Sequence, residues 1–263
     1  MSQLVEVADE ETIKNMSYNP FTLEEKTILV TGASSGIGQA TAIECSRLGA
    51  KVIITGRNVE RLQETFEQLE GEGHQQVVAD LTKEEDINLL VDSIEHIDGL
   101  VNNAGVGRTK LVNFIRKEDL DYVYQTNLFA AILLTKALLK KKKINKGGSL
   151  VFSSSIANFH NDIGNGIYCT SKAAITSFMR SCARELGAKQ IRSNAVCPGM
   201  VETKMIQDTE FSEDDIINDK KKYALERYGK AEEVAYANIY FLSDASKWVT
   251  GVSLVVDGGR LLY

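Results

Sequence analysis

No run of apolar residues in this 263-residue chain is long enough to cross a membrane, which takes about 20 of them in a helix. The first fifteen residues lack a basic stretch followed by an apolar one and carry Glu6, Asp9, Glu10 and Glu11 instead. No secretory leader is read there, and a cytoplasmic protein is expected. Positive charge is outnumbered: 30 Lys and Arg against 36 Asp and Glu leave a net charge of −6. That balance argues against nucleic acid as a partner, since nucleic acid asks for a basic face. The four cysteines (Cys45, Cys169, Cys182 and Cys197) include no C-x-x-C pair. A disulfide or a zinc site is therefore not expected, no other metal site is read, and the thiols read as small buried apolar residues. Repeats and low-complexity segments are missing too.

What is present is an alternation of strand and helix patterns. Strands are expected at Thr27–Val30, Lys51–Thr55, Gln75–Ala79, Gly99–Asn102, Ser149–Ser153, Ile191–Val196 and Ser253–Val256, with one long helix from Asp119 to Lys141. Strictly alternating elements imply a parallel sheet covered by helices on both faces, joined by right-handed crossovers. The expected fold is α/β: a single, doubly wound Rossmann domain with a seven-stranded parallel sheet. Such a fold binds its ligand in a crevice at the carboxyl ends of the strands. Gly32, Asp80, Asn103, Ser155 and Pro198 all fall at or just after such ends. The domain is read as residues 21–263, behind an acidic, flexible tail of residues 1–20 in which Met16 is a candidate initiator. Residues 200–228 are polar and charged, with no strand period.

Two patterns carry chemistry. Thr31-Gly32-Ala33-Ser34-Ser35-Gly36-Ile37-Gly38 follows an apolar strand and leads into a helix. Glycines there let backbone approach a pyrophosphate, and the helix N-terminus offers free N–H groups and partial positive charge. The spacing is G-x-x-x-G-x-G rather than the common G-x-G-x-x-G. The second pattern is Tyr168-x-x-x-Lys172, with Ser155 thirteen residues before the tyrosine. Residues i and i+4 share a helix face, so the ammonium can stand beside the phenol. A neighbouring cation favours the phenolate and is expected to lower the Tyr168 pKa towards neutrality, making it a proton donor or acceptor.

These residues resemble the short-chain dehydrogenase/reductase family, over nearly the whole chain from Lys26 to Gly259. Further motifs agree in order: Asn102-Asn103-Ala104-Gly105, Asn127 in a helix, Ser149 to Ser155, Asn194 to Gly199 with Pro198 and Gly199, and Asp257-Gly258-Gly259. The resemblance implies hydride transfer between a nicotinamide and a carbonyl or alcohol carbon. Tyr168 would be the acid or base and Ser155 the partner of the substrate oxygen. Lys172 would lower the tyrosine's pKa and bind the nicotinamide ribose, and Asn127 would hold a water in a proton relay. Ser155 is selected over Ser153 and Ser154 by the family spacing. For the cofactor, the resemblance implies Gly32, Ser34, Ser35, Gly36, Ile37 and Gly38 around the phosphates, and Asp80 and Leu81 at the adenine. It assigns Asn103, Ala104 and Gly105 to the adenosine ribose and floor, and Pro198, Gly199, Val201 and Thr203 to the nicotinamide side. Residues 200–228 would form the lid over the substrate.

The second strand ends Thr55-Gly56-Arg57. Glycine stands where an acid would bind a ribose 2′-hydroxyl, and an arginine follows. NADP(H) is therefore expected over NAD(H), with Arg57 as the discriminator. The substrate is expected to be a small carbonyl or alcohol, foremost a 3-oxoacyl thioester that is carrier-bound. A sugar, polyol or hydroxysteroid is the alternative, and a non-catalytic NADP-binding sensor or partner-binding subunit is the reading from another class. The resemblance also implies a homodimer or homotetramer paired through the helices Asp119–Lys141 and Ile167–Leu186.

Overall fold

Seven strands form one sheet in the order β3-β2-β1-β4-β5-β6-β7 in the computed structural model, which describes residues 18–203 and 212–262. They are β1 (Thr27–Thr31), β2 (Lys51–Gly56), β3 (Gln75–Val78), β4 (Ile97–Asn102), β5 (Ile144–Ser153), β6 (Arg192–Pro198) and β7 (Ser253–Val256). Every neighbouring pair is parallel. The order runs outward from β1 in both directions, so the chain switches sides between β1 and β4. The loops leaving those two strands diverge there and open a crevice.

A strand buried on both faces reads as a continuous apolar run, and Ile28-Leu29-Val30 is fully buried. Leu29 joins Leu100, Leu150 and Phe152 on one face, under helices α3 (Glu84–Ser93), α5 (Ala130–Lys140) and α6 (Gly166–Leu186). Ile28 and Val30 join Val101, Val151 and Val196 on the other, under α1 (Gly36–Arg47), α2 (Val59–Phe66) and α8 (Ala231–Leu242). All four cysteines are buried and unpaired. Among the described residues no helix is long and apolar enough to cross a membrane.

Two expectations need correction. The single helix expected from Asp119 to Lys141 is instead α4 (Lys117–Tyr124), a π-helical turn at Gln125–Phe129, and α5. A π turn adds a residue to the helical repeat and recurs at functional positions; this one contains Asn127. The tail read as flexible through residue 20 ends earlier, because the Pro20 carbonyl accepts a hydrogen bond of 3.0 Å from the Ala245 amide. The rest of that tail, including Met16, lies outside the described residues, as do residues 204–211 of the segment read as a lid. Within the remainder, α7 (Glu213–Lys220) precedes Tyr223 and Tyr228, whose rings meet edge to face at 5.6 Å.

Candidate active site

The carboxyl ends of the strands bound a cleft of about 1620 Å³. Its floor is the glycine-rich turn between β1 and α1. Gly32 has φ +64 and Gly36 has φ +57, both in the left-handed region that disfavours a side chain. A Cβ on Gly32 would meet the Ala104 Cα at 2.8 Å, so this glycine lets two loops touch. The loops are stapled by Thr31, whose hydroxyl accepts from the Asn103 and Ala104 amides at 2.9 and 3.1 Å. The Asn103 side-chain amide returns to the Thr31 and Gly32 carbonyls, at 3.2 and 3.4 Å, and its oxygen accepts from the Ser153 hydroxyl. Asn103 thus ties β1, β4 and β5 together while lining the cleft. Gly38 does not line it: a Cβ there would lie 2.3 Å from the Gly32 carbonyl oxygen, so its role is close packing behind the turn.

At the β5 end, three consecutive serines point three ways. Ser153 bonds Asn103. Ser154 is buried, bonding the Lys172 carbonyl at 3.2 Å and the Thr176 hydroxyl at 2.7 Å. Ser155 caps a short 3-10 turn, accepting from the Ala157 amide, and its hydroxyl acts on the Tyr168 phenol by lowering its pKa. Lys172, one turn along α6, places its Nζ 5.5 Å from the centre of the Tyr168 ring and donates to the Ser153 carbonyl at 2.8 Å. All of Ser155, Tyr168 and Lys172 line the cleft.

Contrary to expectation, Lys172 does not pull the tyrosine down. Burial pushes the Tyr168 pKa up to about 12, with the Ser155 hydroxyl only a partial offset. The same desolvation lowers Lys172 to about 8. Removing water penalises whichever form is charged, and here that effect exceeds the attraction between the pair. Asn127 sits behind them, 3 % exposed and outside the cleft lining. Its amide clamps the Val106 backbone, accepting at 2.7 Å and donating at 3.0 Å, and also donates to the Ser171 hydroxyl at 3.1 Å. A Cβ on Gly105 would stand 3.4 Å from both Asn127 Oδ1 and Lys172 Nζ, so the missing side chain leaves a gap between the two.

At the β2 end, Arg57 lines the cleft, and so does Arg61, which the sequence reading did not single out. The spacing Arg57-x-x-x-Arg61 was the signal available. Asp80 and Leu81 face them from the end of β3. Burial acts to raise the Asp80 pKa, but the hydroxyl and amide of Thr82 and the charge of Arg57 hold it below the usual carboxylate range. Thr55 completes this wall. Its hydroxyl is buried and has no hydrogen-bond partner among the described residues. An unsatisfied buried hydroxyl costs on the order of 1–3 kcal/mol.

At the other mouth stand Pro198, Gly199, Val201 and Thr203. The Gly199 amide is tied to the Val256 carbonyl at 3.0 Å, and the Thr203 methyl lies 3.2 Å from where a Gly36 side chain would begin. Over them, Tyr223 accepts from the Met200 amide at 3.3 Å and Tyr228 donates to Asp219 at 3.0 Å. Arg260 also reaches this mouth, as do Lys110, His160 and Asp162.

Comparison with known proteins agrees with this geometry. A family model described as enoyl-(acyl carrier protein) reductase matches residues 32–260. The 3-oxoacyl-[acyl-carrier-protein] reductase of Rickettsia bellii is 35% identical over 246 residues, covering 91% of this chain and 98% of that protein. Dehydrogenase/reductase SDR family member 6 of Rattus norvegicus is 37% identical over 243 residues, covering 90% and 98%. A solved Agrobacterium tumefaciens structure, described provisionally as a 2-deoxy-D-gluconate 3-dehydrogenase with bound NADP, superimposes with a TM-score of 0.85. It is 30% identical, with 94% of this chain and 100% of that one covered. With these matches spanning the glycine turn and the serine, tyrosine and lysine alike, the chain belongs to the short-chain dehydrogenase/reductase family and is an oxidoreductase that interconverts a ketone and an alcohol using a nicotinamide cofactor.

Proposed function

We propose that the chain is an NADP(H)-dependent ketone reductase in which Tyr168 is the proton donor. The observation that carries this reading is the half-buried Tyr168 phenol grouped with Ser155 and Lys172 at the end of a glycine-floored cleft. The residues fit the dinucleotide: a turn whose glycines admit no side chain, an orphaned Thr55 hydroxyl, and two arginines at the β2 end. Gly32, Ser34, Ser35, Gly36 and Ile37 would hold the phosphates, with Gly38 shaping the turn behind them. Asp80, Leu81, Asn103, Ala104 and Gly105 would hold the adenosine half, and Pro198, Gly199, Val201 and Thr203 the nicotinamide half. When bound, the nicotinamide supplies the hydride.

The chain's own residues do the rest. The Ser155 hydroxyl orients the substrate oxygen and stabilises the negative charge that develops on it. With its pKa near 12, Tyr168 keeps its proton at neutral pH and delivers it to that oxygen. Lys172 is cationic below about 8 and steadies the phenolate left behind. Lys172 would then reprotonate the phenolate, and Asn127, clamped to Val106, holds one side of the gap at Gly105 through which a water would return that proton to Lys172. Residues 200–228 would close over the substrate.

A 3-oxoacyl thioester on a carrier is the leading substrate, supported by the Rickettsia bellii relative. A sugar or polyol is the second reading, favoured by the charged mouth formed by Lys110, His160, Asp162 and Arg260. A second copy of the chain is the proposed partner, in a homodimer or homotetramer. Leu120 and Tyr122 on α4, Phe129 in the π turn and Leu133 on α5 are exposed apolar residues that such pairing would cover. Consumption of NADPH with acetoacetyl thioesters, ketoses and ketosteroids tests the reading, alongside Tyr168→Phe. Removing a general acid is expected to lower kcat by about 10²- to 10⁴-fold with NADPH binding retained. A variant as active as the wild type would overturn the assignment of Tyr168.

A further inference from the structure

The NADP(H) reading names one cation at the adenosine end, but the structure brings two there. Arg57 and Arg61 line the same cleft. Three other arginines are ion-paired, Arg47 to Glu44 and Glu70, Arg108 to Asp119, and Arg227 to Glu233, whereas Arg116, Arg180, Arg184 and Arg260 form no ion pair among the described residues. Among the described residues neither the Arg57 nor the Arg61 guanidinium has an ion-pair or hydrogen-bond partner. Glu60, the nearest acid in sequence, is exposed and does not line the cleft.

The local fold dictates where Arg61 points. Asn58 caps α2 by accepting from the Arg61 amide at 2.8 Å, which sets Arg57 just before the cap and Arg61 in the first turn. Thr65 follows Arg61 by four residues and so shares its helix face. The Thr65 hydroxyl donates to the Ala33 carbonyl at 2.9 Å and accepts from Gln39 at 3.0 Å, bolting that face to the glycine-rich turn and α1. Arg61 therefore belongs to the side of α2 that faces the dinucleotide floor, not the side that faces solvent. Asp80, opposite, has one carboxylate oxygen occupied by Thr82, and its charge already counts Arg57 as a neighbour. Arg57, Arg61 and Lys83 outnumber Asp80 and Asp86, whose carboxylate accepts from the Asp80 amide at 2.7 Å, and leave this corner net positive, matched to a phosphate monoester carrying about −1.5 to −2 at pH 7.

We propose that Arg61 is a second reader of the adenosine 2′-phosphate, acting with Arg57 to set the preference for the phosphorylated dinucleotide; this rests on the NADP(H) reading above. Guanidinium forks suit phosphate oxygens, and hydrogen bonds to an ionised acceptor are about twice as strong as neutral ones. Ser35, neutral in the glycine-rich turn, adds no charge from the opposite wall, so the second cation comes from α2.

Calorimetric titration of NADPH, NADH and 2′,5′-ADP into the wild type, Arg61→Gln, Arg61→Lys and Arg57→Gln tests this at fixed ionic strength. The ratio of NADPH to NADH affinity is expected to fall about tenfold in Arg61→Gln, with 2′,5′-ADP weakened by the same factor. Arg61→Lys should recover part of that ratio, and Arg57→Gln should lower it at least as far. If Arg57→Gln collapses the ratio while Arg61→Gln leaves it intact, the proposal fails and the NADP(H) reading stands. If Arg61→Gln weakens NADPH and NADH alike, the residue supports the fold and not the phosphate, and the proposal again fails. If neither variant changes the ratio, the NADP(H) reading falls and takes the proposal with it.

Discussion

Tyr168 and Lys172 share one face of α6, yet desolvation, not their mutual attraction, decides their charge states. The phenol is held neutral to about 12, and the ammonium loses its proton near 8. The sign of the pH dependence follows. On the proposed mechanism the form that reduces a carbonyl has Tyr168 protonated and Lys172 charged, so the low-pH side keeps both. As pH rises through about 8 the lysine neutralises first, while the tyrosine is still protonated. We expect kcat/KM for carbonyl reduction to be flat below that point and to fall above it. Lys172→Met should be slow at every pH and lack this limb, which a pH–rate profile of both proteins would reveal. A wild-type profile flat through pH 10 would contradict the assignment. The lysine–tyrosine pair was legible from its spacing taken with the glycine-rich turn and the other motifs around it; the direction of the tyrosine's shift was not, because burial is a property of the residues around it.

The glycine-rich turn works as one element with the start of α1. Gly38 lies inside α1, where alanine is favoured over glycine by about 1 kcal/mol on propensity alone. Opposing that, a Cβ at Gly38 would stand 2.3 Å from the Gly32 carbonyl oxygen and 2.5 Å from the Asn103 amide nitrogen, itself anchored to β1. Overpacking of this kind costs about 1–3 kcal/mol, so sterics win. Net of the propensity gain, Gly38→Ala is expected to lower the melting temperature by up to about 8 °C, at about 2–4 °C per kcal/mol for a domain of this size. It should also weaken dinucleotide binding at least tenfold by pushing the turn into the cleft. Thermal unfolding and a binding titration check the two effects; unchanged values in both would show that the turn relaxes freely. The π turn at Gln125–Phe129 is the counterpart that the sequence concealed. Its apolar spacing reads as one uninterrupted helix, whereas the clamp of Asn127 on Val106, a residue of a distant loop, accompanies the extra residue.

At the scale of the molecule, the apolar residues exposed on α4 and α5 predict assembly. Light scattering at micromolar concentration should give a mass of two or four 29.0 kDa chains. Leu133→Glu, which puts a charge on that face, should shift the mass towards one chain. A wild-type mass of one chain would remove the proposal. The resemblance to a known family singled out Ser155, Tyr168 and Lys172 as candidates, while the sequence by itself determined the alternation of elements, the parallel sheet, the glycine-rich turn and the shared helix face of the tyrosine and lysine. Those features rest on short-range rules: period, turn chemistry, and i to i+4 spacing on a helix. Only the tertiary structure decided which side chains share the cleft, and so brought Arg61 beside Arg57, left Thr55 without a partner, and put Gly38 and Asn127 behind the wall. It also docked Pro20 on the Ala245 amide and set both pKa shifts. The physical reason is common to all of these: neighbours across a crevice are chosen by which strand ends the crossovers bring together, and solvent removal by everything that surrounds a group.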